Sequence, residues 1–345
     1  MDEKFDAVNT PADVRSLLLF TPLNGDDPEG LRKRIMAGFE VETVKQNPKR
    51  KVYRLRCNDG SELYLKLFAP QNILVSCLRF YAWREYLSAR RLDNAGLPVI
   101  RYLAWGRLHR GGFCVSEGIP QALPARRYFF ETLRHDPELL SVFLEQLSNV
   151  TAQLLRQRIR HPDFHLGNIL FSGKLQRLFL ADPWGVRPLP FLWKKHKIEL
   201  CLPWLEMSGS VPEEPLLNAM AETGLASSAG EAGKLLSEAL SEHAFRIRHH
   251  RDKLNARILS GKSKFATEIE LPEGRCAFRH TEWFEPPEEL VISPLWHRHA
   301  FDSEAESRQI WLDSFLRIPP LENPPLARLI TNDGASILFY AEEER

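Results

Sequence analysis

Two acids and an amide stand at a spacing suited to phosphoryl transfer. In HPDFHLGNIL, residues 161 to 170, Asp163 and Asn168 lie five apart, and Asp182 follows in LADPWG, residues 180 to 185. The first two fall in a loop that leaves a helical pattern and enters a strand; Asp182 ends the next strand. Phosphoryl transfer rests on positioning and charge neutralisation more than on covalent chemistry. It needs a cation for the phosphates, carboxylate and amide oxygens for magnesium, and an acceptor for the proton of the attacking hydroxyl. Asp163 suits the acceptor, and Asn168 and Asp182 suit the metal. Upstream, Lys66 in YLKLF and Glu85 in WREYLSARRL suit a phosphate-holding cation and the carboxylate that fixes it.

Singly, each has a plainer reading. A lone HxDxxxxN, the spacing of a kinase catalytic loop, is a weak signal. Lys66 alone is a solvated strand lysine, and Glu85 alone is part of a charged helix face. Their order and their elements raise them together, since four accidents rarely fall on a strand, a helix, a loop and a strand end in sequence. Glu117 closes the strand before the Gly118 and Pro120 break and is assigned to the nucleotide. His161 is expected to support the loop through hydrogen bonds. His165 has two readings, contact with phosphate or substrate and plain packing. The aromatic residues from Trp184 to Trp204 pack, or form an acceptor wall. The basic run NPKRKVYR, residues 47 to 54, is a solvated hairpin face or a grip on anionic groups.

The elements that must position these residues read as follows. Val52 to Cys57 and Leu63 to Phe68 form a hairpin around Asn58, Asp59 and Gly60, residue types that accept positive φ. Leu78 to Asn94 is helical, closed by Gly96 and Pro98. Val99 to Trp105 and Phe113 to Glu117 are strands. Asp136 caps and Pro137 starts a helix whose apolar stripe runs Leu140, Phe143, Leu144, Leu147, Val150, Leu154 and Leu155. Strands Ile169 to Phe171 and Leu178 to Leu180 flank a turn at Ser172 and Gly173, and residues 190 to 260 are largely helical by pattern.

This gives an α+β chain of two lobes: a leader (1–38) packing on the main domain, a small β-rich N-lobe (39–118), a mainly helical C-lobe (119–260) and a C-terminal α+β extension (261–345). The extension carries a faint echo of the N-lobe, ESRQIWLDSFLRIPPLENPPLARLI against WREYLSARRLDNAGLPVIRYL and ELVISPLW against ELYLKLF. There Ser293 stands for Lys66 and Gln309 for Glu85. The tail is either a degenerate second N-lobe or a plain extension, with strands and one helix near Glu304 to Leu316 in the first case.

Composition excludes more than it selects. The 345 residues suffice for one two-lobed enzyme domain with an appended module. With 43% hydrophobic and 26% charged residues, the chain is neither disordered nor fibrous. The 46 Lys and Arg against 45 Asp and Glu give no global attraction to nucleic acid or anionic lipid. Five scattered cysteines without a CxxC pair point away from zinc knuckles and disulfide frameworks. The start MDEKFDAVNTPADVR has no signal-peptide pattern and no apolar run is long enough for a bilayer, so the expectation is a soluble cytoplasmic protein.

YLKLF, WREYLSARRLDNAGLPV, HPDFHLGNILF and LADPWG resemble segments of the kinase-like proteins that phosphorylate inner-core sugars of bacterial lipopolysaccharide, heptose or 3-deoxy-manno-octulosonic acid (Kdo). They are similar, more distantly, to aminoglycoside and choline phosphotransferases. The resemblance covers about residues 40 to 205 and implies a protein-kinase-like fold, ATP and Mg2+. It implies Lys66 and Glu85 as the phosphate-anchoring pair, Asp163 as base, and Asn168 and Asp182 as metal ligands. The implied acceptor is a lipid-linked glycan at the inner face of the cytoplasmic membrane of a Gram-negative bacterium, or else a small soluble hydroxyl compound. A pseudokinase that binds nucleotide or a partner without catalysis is the third reading. The chain departs from the wider family in having KQNPKRK instead of a glycine-rich loop, and Pro183 and Trp184 after Asp182 instead of Phe and Gly.

Overall fold

The computed structural model describes residues 10–47, 50–69, 81–108, 111–259, 266–279, 297–301, 303–316 and 325–340. The chain forms two compact units. One comprises Met1–Tyr128, Asp136–Leu200 and Glu222–Leu225; the other comprises Phe129–His135, Cys201–Ala221 and Ala226–Arg345.

The first unit begins with two helices, α1 (Pro11–Phe20) and α2 (Pro28–Ala37), with the short strand β1 (Leu23–Gly25) between them. Their starts are written in the sequence. Thr10 accepts from the Asp13 amide while the Asp13 carboxylate takes the Thr10 amide, and Asp27 accepts from the Gly30 amide. A proline follows each cap. Strands β2 (Phe39–Asn47), β3 (Arg50–Cys57), β4 (Glu62–Phe68), β5 (Tyr102–Arg107) and β6 (Gly112–Glu117) join β1 in an antiparallel sheet of order β1-β5-β6-β4-β3-β2.

Alternation along the strands gives each sheet face its own cover. Leu63, Leu65 and Leu67 of β4, with Tyr53, Leu55, Leu103, Phe113 and Val115, pack against Val14, Leu18, Leu31 and Ile35 of α1 and α2. Residues 10–38 thus contribute two core helices and an edge strand to this unit. The intervening β4 positions face the other way. There Phe68, Tyr102 and Cys114 pack on Ala82, Tyr86 and Ala89 of α3 (Tyr81–Asn94), and Lys66 stands opposite Cys114 in register. Strand β2 is an edge whose central positions are exposed, so it offers no apolar alternation to read.

The chain continues through β7 (Ala122–Pro124) and the short helix α4 (Ala125–Glu131) to α5 (Pro137–Arg156). Asp136 caps α5 through the Leu139 amide, and Leu140, Phe143, Leu144, Leu147, Val150 and Leu154 are its buried stripe. Beyond it, β8 (Ile159–Arg160), β9 (Ile169–Ser172), β10 (Arg177–Leu180) and β11 (Arg187–Pro188) pair as β9 with β10 and β8 with β11, before helix α6 (Lys194–Leu200). These two ladders bracket the loops 161–168 and 181–186 at both ends. The loops must therefore run side by side.

The second unit holds α7 (Leu202–Met207), α8 (Glu213–Glu222) and the long α9 (Ala229–Leu259). It continues with β12 (Ala266–Leu271), β13 (Gly274–Arg279), β14 (His297–Phe301), α10 (Glu304–Leu316), β15 (Ala327–Thr331) and β16 (Ser336–Tyr340). Its sheet has the order β12-β13-β15-β16-β14. The expected tail helix is α10, which packs Trp311 and Leu312 on Ala277 and Leu338. The two sheets are ordered differently. In the first, the strand that enters the helix, β4, lies between β3 and β6; in the second, β14 lies at an edge on β16. Gln309 is exposed and donates to Asp313 one turn on. Ser293 and ELVISPLW lie outside the described residues.

Candidate active site

The site is assembled within the first unit from β3, β4, α3 and the paired loops. Lys66 points to the α3 face of the sheet because Leu65 and Leu67 take the opposite face. Glu85 falls on the same helical stripe as Ala82, Ala89 and Leu92, so α3 carries its carboxylate to the sheet, 1% exposed. Lys66 Nζ lies 2.6 Å from Glu85 Oε1 and 3.2 Å from Asp182 Oδ1. Three expected residues, 116 positions apart at the extremes, thus meet around one ammonium.

Burial alone would lower the pKa of the Lys66 ammonium, but the carboxylates of Glu85 and Asp182 outweigh it and hold the group above its ordinary range. Burial would likewise raise Asp182. The charges of Lys66 and Arg50, with the hydrogen bonds they donate, hold it well below the usual carboxylate range. Lys66 and Asp182 are therefore ionised, charge facing charge. In a partly desolvated place that is the arrangement that holds a lysine still without neutralising it.

Asp182 occupies the left-handed region, φ 46°, which turns its carboxylate towards the sheet. The turn is closed by the Trp184 amide on Asp182 O and the Val186 amide on Pro183 O. Trp184 packs on Tyr81 of α3 with ring centroids 4.6 Å apart, and the Val186 carbonyl accepts from Ser88 and Arg91 of that helix. The segment after Asp182 is thereby fastened to α3, the helix that also holds Glu85.

In the neighbouring loop, Asn168 Nδ2 donates to Asp163 Oδ2 at 2.9 Å and to Asp163 O at 3.0 Å. His165 Nδ1 accepts from the Gly167 amide, so its other nitrogen carries the proton and faces Asp163 Oδ1 at 3.5 Å. The Asp163 side chain is 61% exposed, oriented from behind and open to a hydroxyl in front. Ala181 N donates to Asn168 O at 2.9 Å, joining this loop to the one that carries Asp182.

One expectation is corrected. His161 does not support the loop through hydrogen bonds: it is buried against Phe164, and neither ring nitrogen has a hydrogen-bond partner. Burial pushes its pKa down to about 4, so the ring packs as a neutral group. The Glu117 carboxylate faces Arg101 at 3.3 Å and Arg34 at 3.7 Å.

Three participants went unassigned in the sequence. Tyr102 OH donates to Glu85 Oε1 at 2.7 Å, Cys114 Sγ approaches the same oxygen at 3.8 Å, and Arg50 Nη1 donates to Asp182 Oδ2 at 2.8 Å. Tyr102 and Cys114 read as ordinary strand residues. Arg50 was visible only as one member of a basic run.

The donors fit a magnesium ion. Mg2+ keeps waters and phosphate oxygens and takes only one or two protein carboxylates. Asp182 is ionised, and Asn168, with Nδ2 committed to Asp163, leaves its Oδ1 as the end for a cation.

No family model matches the chain, and no curated protein matches it. Among solved structures, the kinase PK-1 of Cydia pomonella granulovirus is similar at 16% identity and a TM-score of 0.35, over 47% of this chain and 56% of that one.

Proposed function

We propose that the chain is an ATP-dependent kinase with a protein-kinase-like fold, phosphorylating a sugar hydroxyl of the lipopolysaccharide inner core, heptose or Kdo. The observation that carries the phosphotransferase reading is the meeting of Lys66, Glu85 and Asp182 in one cluster beside a loop that orients Asp163 through Asn168. Lys66, held by Glu85, binds nucleotide phosphate. Asp163 accepts the proton of the acceptor hydroxyl through its exposed carboxylate, and His165 and Asn168 keep that carboxylate aimed. Asn168 and Asp182 would hold Mg2+, which when bound neutralises phosphate charge.

The acceptor rests on the resemblance of YLKLF, HPDFHLGNILF and LADPWG to lipopolysaccharide core kinases. A lipid-linked glycan also requires work at a bilayer, at the inner face of the cytoplasmic membrane. No helix among the described residues is long and apolar enough to cross a membrane, and the contact proposed is a peripheral one. RPLPFLWKKHK, residues 187–197, supports it, with four cationic residues and no acid. Phe191 and Trp193 in it are 49% and 57% exposed and pack edge to face at 4.5 Å. Aromatic rings beside lysines suit a headgroup region.

The test is transfer of labelled phosphate from ATP to deacylated core glycolipid, with the product mapped by mass spectrometry. Phosphate on a core sugar is the expected result. Transfer only to soluble alcohols would reassign the acceptor, and nucleotide binding without transfer to any acceptor would leave a pseudokinase.

A further inference from the structure

Arg50 is the first residue of β3 and stands opposite Phe68, while Val52 stands opposite Lys66. Alternate residues of a strand share a face, so Arg50 and Lys66 emerge on the same side of the sheet, one pleat repeat apart. Both reach Asp182. Lys66 Nζ takes Oδ1 at 3.2 Å and Arg50 Nη1 takes Oδ2 at 2.8 Å, so each carboxylate oxygen carries one cation. The Arg50 side chain is 30% exposed, at the outer edge of the cluster, against 15% for Lys66.

Two cations, Arg50 and Lys66, face two carboxylates, Glu85 and Asp182. A metal ion on Asp182 competes with these two donors for the lone pairs of its oxygens. Lys66 is also anchored by Glu85 at 2.6 Å. Arg50 is the more exposed of the two cations, so it is the one to leave. An arginine released beside a nucleotide has an obvious acceptor, because its planar fork matches the oxygens of a phosphate. It also comes from KQNPKRK, the stretch between the first two strands of the lobe, which contains no glycine.

We propose that Arg50 is a phosphate-binding residue of this site. It holds Oδ2 of Asp182 in the free protein, yields that oxygen when the metal-nucleotide complex arrives, and engages the phosphate chain of the nucleoside triphosphate. A side-chain cation thereby does at the first hairpin what backbone amides do in glycine-rich loops. The inference rests on the phosphotransferase reading above.

Calorimetric titration of the full chain with MgATP and with adenosine tests it, comparing the wild type with Arg50→Gln and Arg50→Lys. The expected result is that Arg50→Gln weakens MgATP binding by tenfold or more and leaves adenosine within twofold, while Arg50→Lys recovers part of the MgATP affinity. Titration with Mn2+ alone should show tighter binding to Arg50→Gln than to the wild type, because the competitor for Asp182 is gone. If the wild type binds MgATP and Arg50→Gln binds it equally or more tightly, Arg50 only blocks the metal site and the proposal is overturned, with the phosphotransferase reading intact. If the wild type binds no MgATP, that reading fails, and the role of Arg50 with it. Should Arg50→Gln not fold, Arg50→Lys, which keeps the charge and loses the fork, decides by the same MgATP-to-adenosine comparison.

Discussion

The phenol of Tyr102 and the ammonium of Lys66 donate to one and the same oxygen, Glu85 Oε1, at 2.7 and 2.6 Å. Burial is the first cause that raises the Tyr102 pKa, and the Glu85 charge adds to it, so the phenol keeps its proton and remains a donor. Glu85 is thus fixed from β4 and β5 at once, which makes the lysine's position a property of the sheet as well as of α3.

That arrangement sets the first prediction. Removing one partner of a buried, hydrogen-bonded ion pair leaves an uncompensated charge, at a cost of about 3–5 kcal/mol. Glu85→Ala should therefore unfold at markedly lower urea concentration than the wild type. Lys66→Ala and Glu85→Ala should each weaken ATP binding or lower turnover more than about tenfold, and the double variant should lose no more than the worse single one. Tyr102→Phe, which keeps the ring and removes one donor, should cost about 1 kcal/mol of stability and act on nucleotide affinity in the same direction but less. Unchanged ATP affinity and turnover in both alanine variants would take the pair out of the site.

How far these residues could be read from sequence depends on what fixes them. Lys66, Glu85, Asp163, Asn168 and Asp182 were legible because each sits at a chemically typical place in an ordered series of elements, and the capped stripe of α5 was legible because Asp136, Pro137 and the apolar spacing all agree. Arg50, Tyr102 and Cys114 were not. Their roles depend on strand register, which pairs Lys66 with Cys114 and sets Arg50 one repeat from Val52, and register is a tertiary property that local pattern does not carry. Helices α1 and α2 were a different omission: the Thr10, Asp13 and Asp27 caps and the following prolines were present in the sequence and unread. Glu117 was placed by its position at a strand end, and the two arginines beside its carboxylate are again a matter of tertiary placement.

His161 supplies a prediction with a definite sign. Its folded pKa is about 4 against an ordinary 6.5. Between those values the unfolded chain binds a proton that the folded chain refuses. Stability is therefore fully present above the unfolded value, falls as pH drops through the interval and is lost by the folded value, amounting to about 3 kcal/mol. His161→Phe keeps a ring against Phe164 and cannot titrate. Urea unfolding of both proteins between about pH 7 and pH 5 should show the wild type losing more stability than the variant on acidification. Parallel losses would mean that His161 is already charged or already hydrogen-bonded in the folded protein.

The exposed pair Phe191 and Trp193 makes the bilayer part of the proposal testable apart from the chemistry. Cosedimentation with vesicles rich in anionic lipid should exceed that with zwitterionic ones and fall with added salt, since each cation near such a surface contributes about 1 kcal/mol. Replacing Phe191 and Trp193 by Ser should release the protein from anionic vesicles without changing its affinity for ATP. Equal binding by the wild type and the double variant would assign any membrane contact to another surface.

The last prediction separates the two aspartates. Asp163 is exposed, takes Asn168 Nδ2 at 2.9 Å and faces His165 Nε2 at 3.5 Å. A base of that kind matters chiefly in the transition state. Asp163→Asn, nearly the same shape and far less basic, should lower kcat by about two to four orders of magnitude and leave ATP affinity close to the wild type. Asp182 stands between Lys66 and Arg50 and is the carboxylate assigned to the metal. In Asp182→Asn Lys66 and Arg50 each lose one charge partner and the metal would lose a ligand, so the affinity for the metal-nucleotide complex should fall along with the rate. Titrating each variant with ATP at several magnesium concentrations, beside turnover on extracted core glycolipid, distinguishes the two roles. For Asp182→Asn the apparent ATP affinity should respond weakly to added magnesium; for Asp163→Asn it should respond as in the wild type. A fully active Asp163→Asn, or an exchange of phenotypes between the two variants, would show that base and metal ligand have been assigned to the wrong carboxylates.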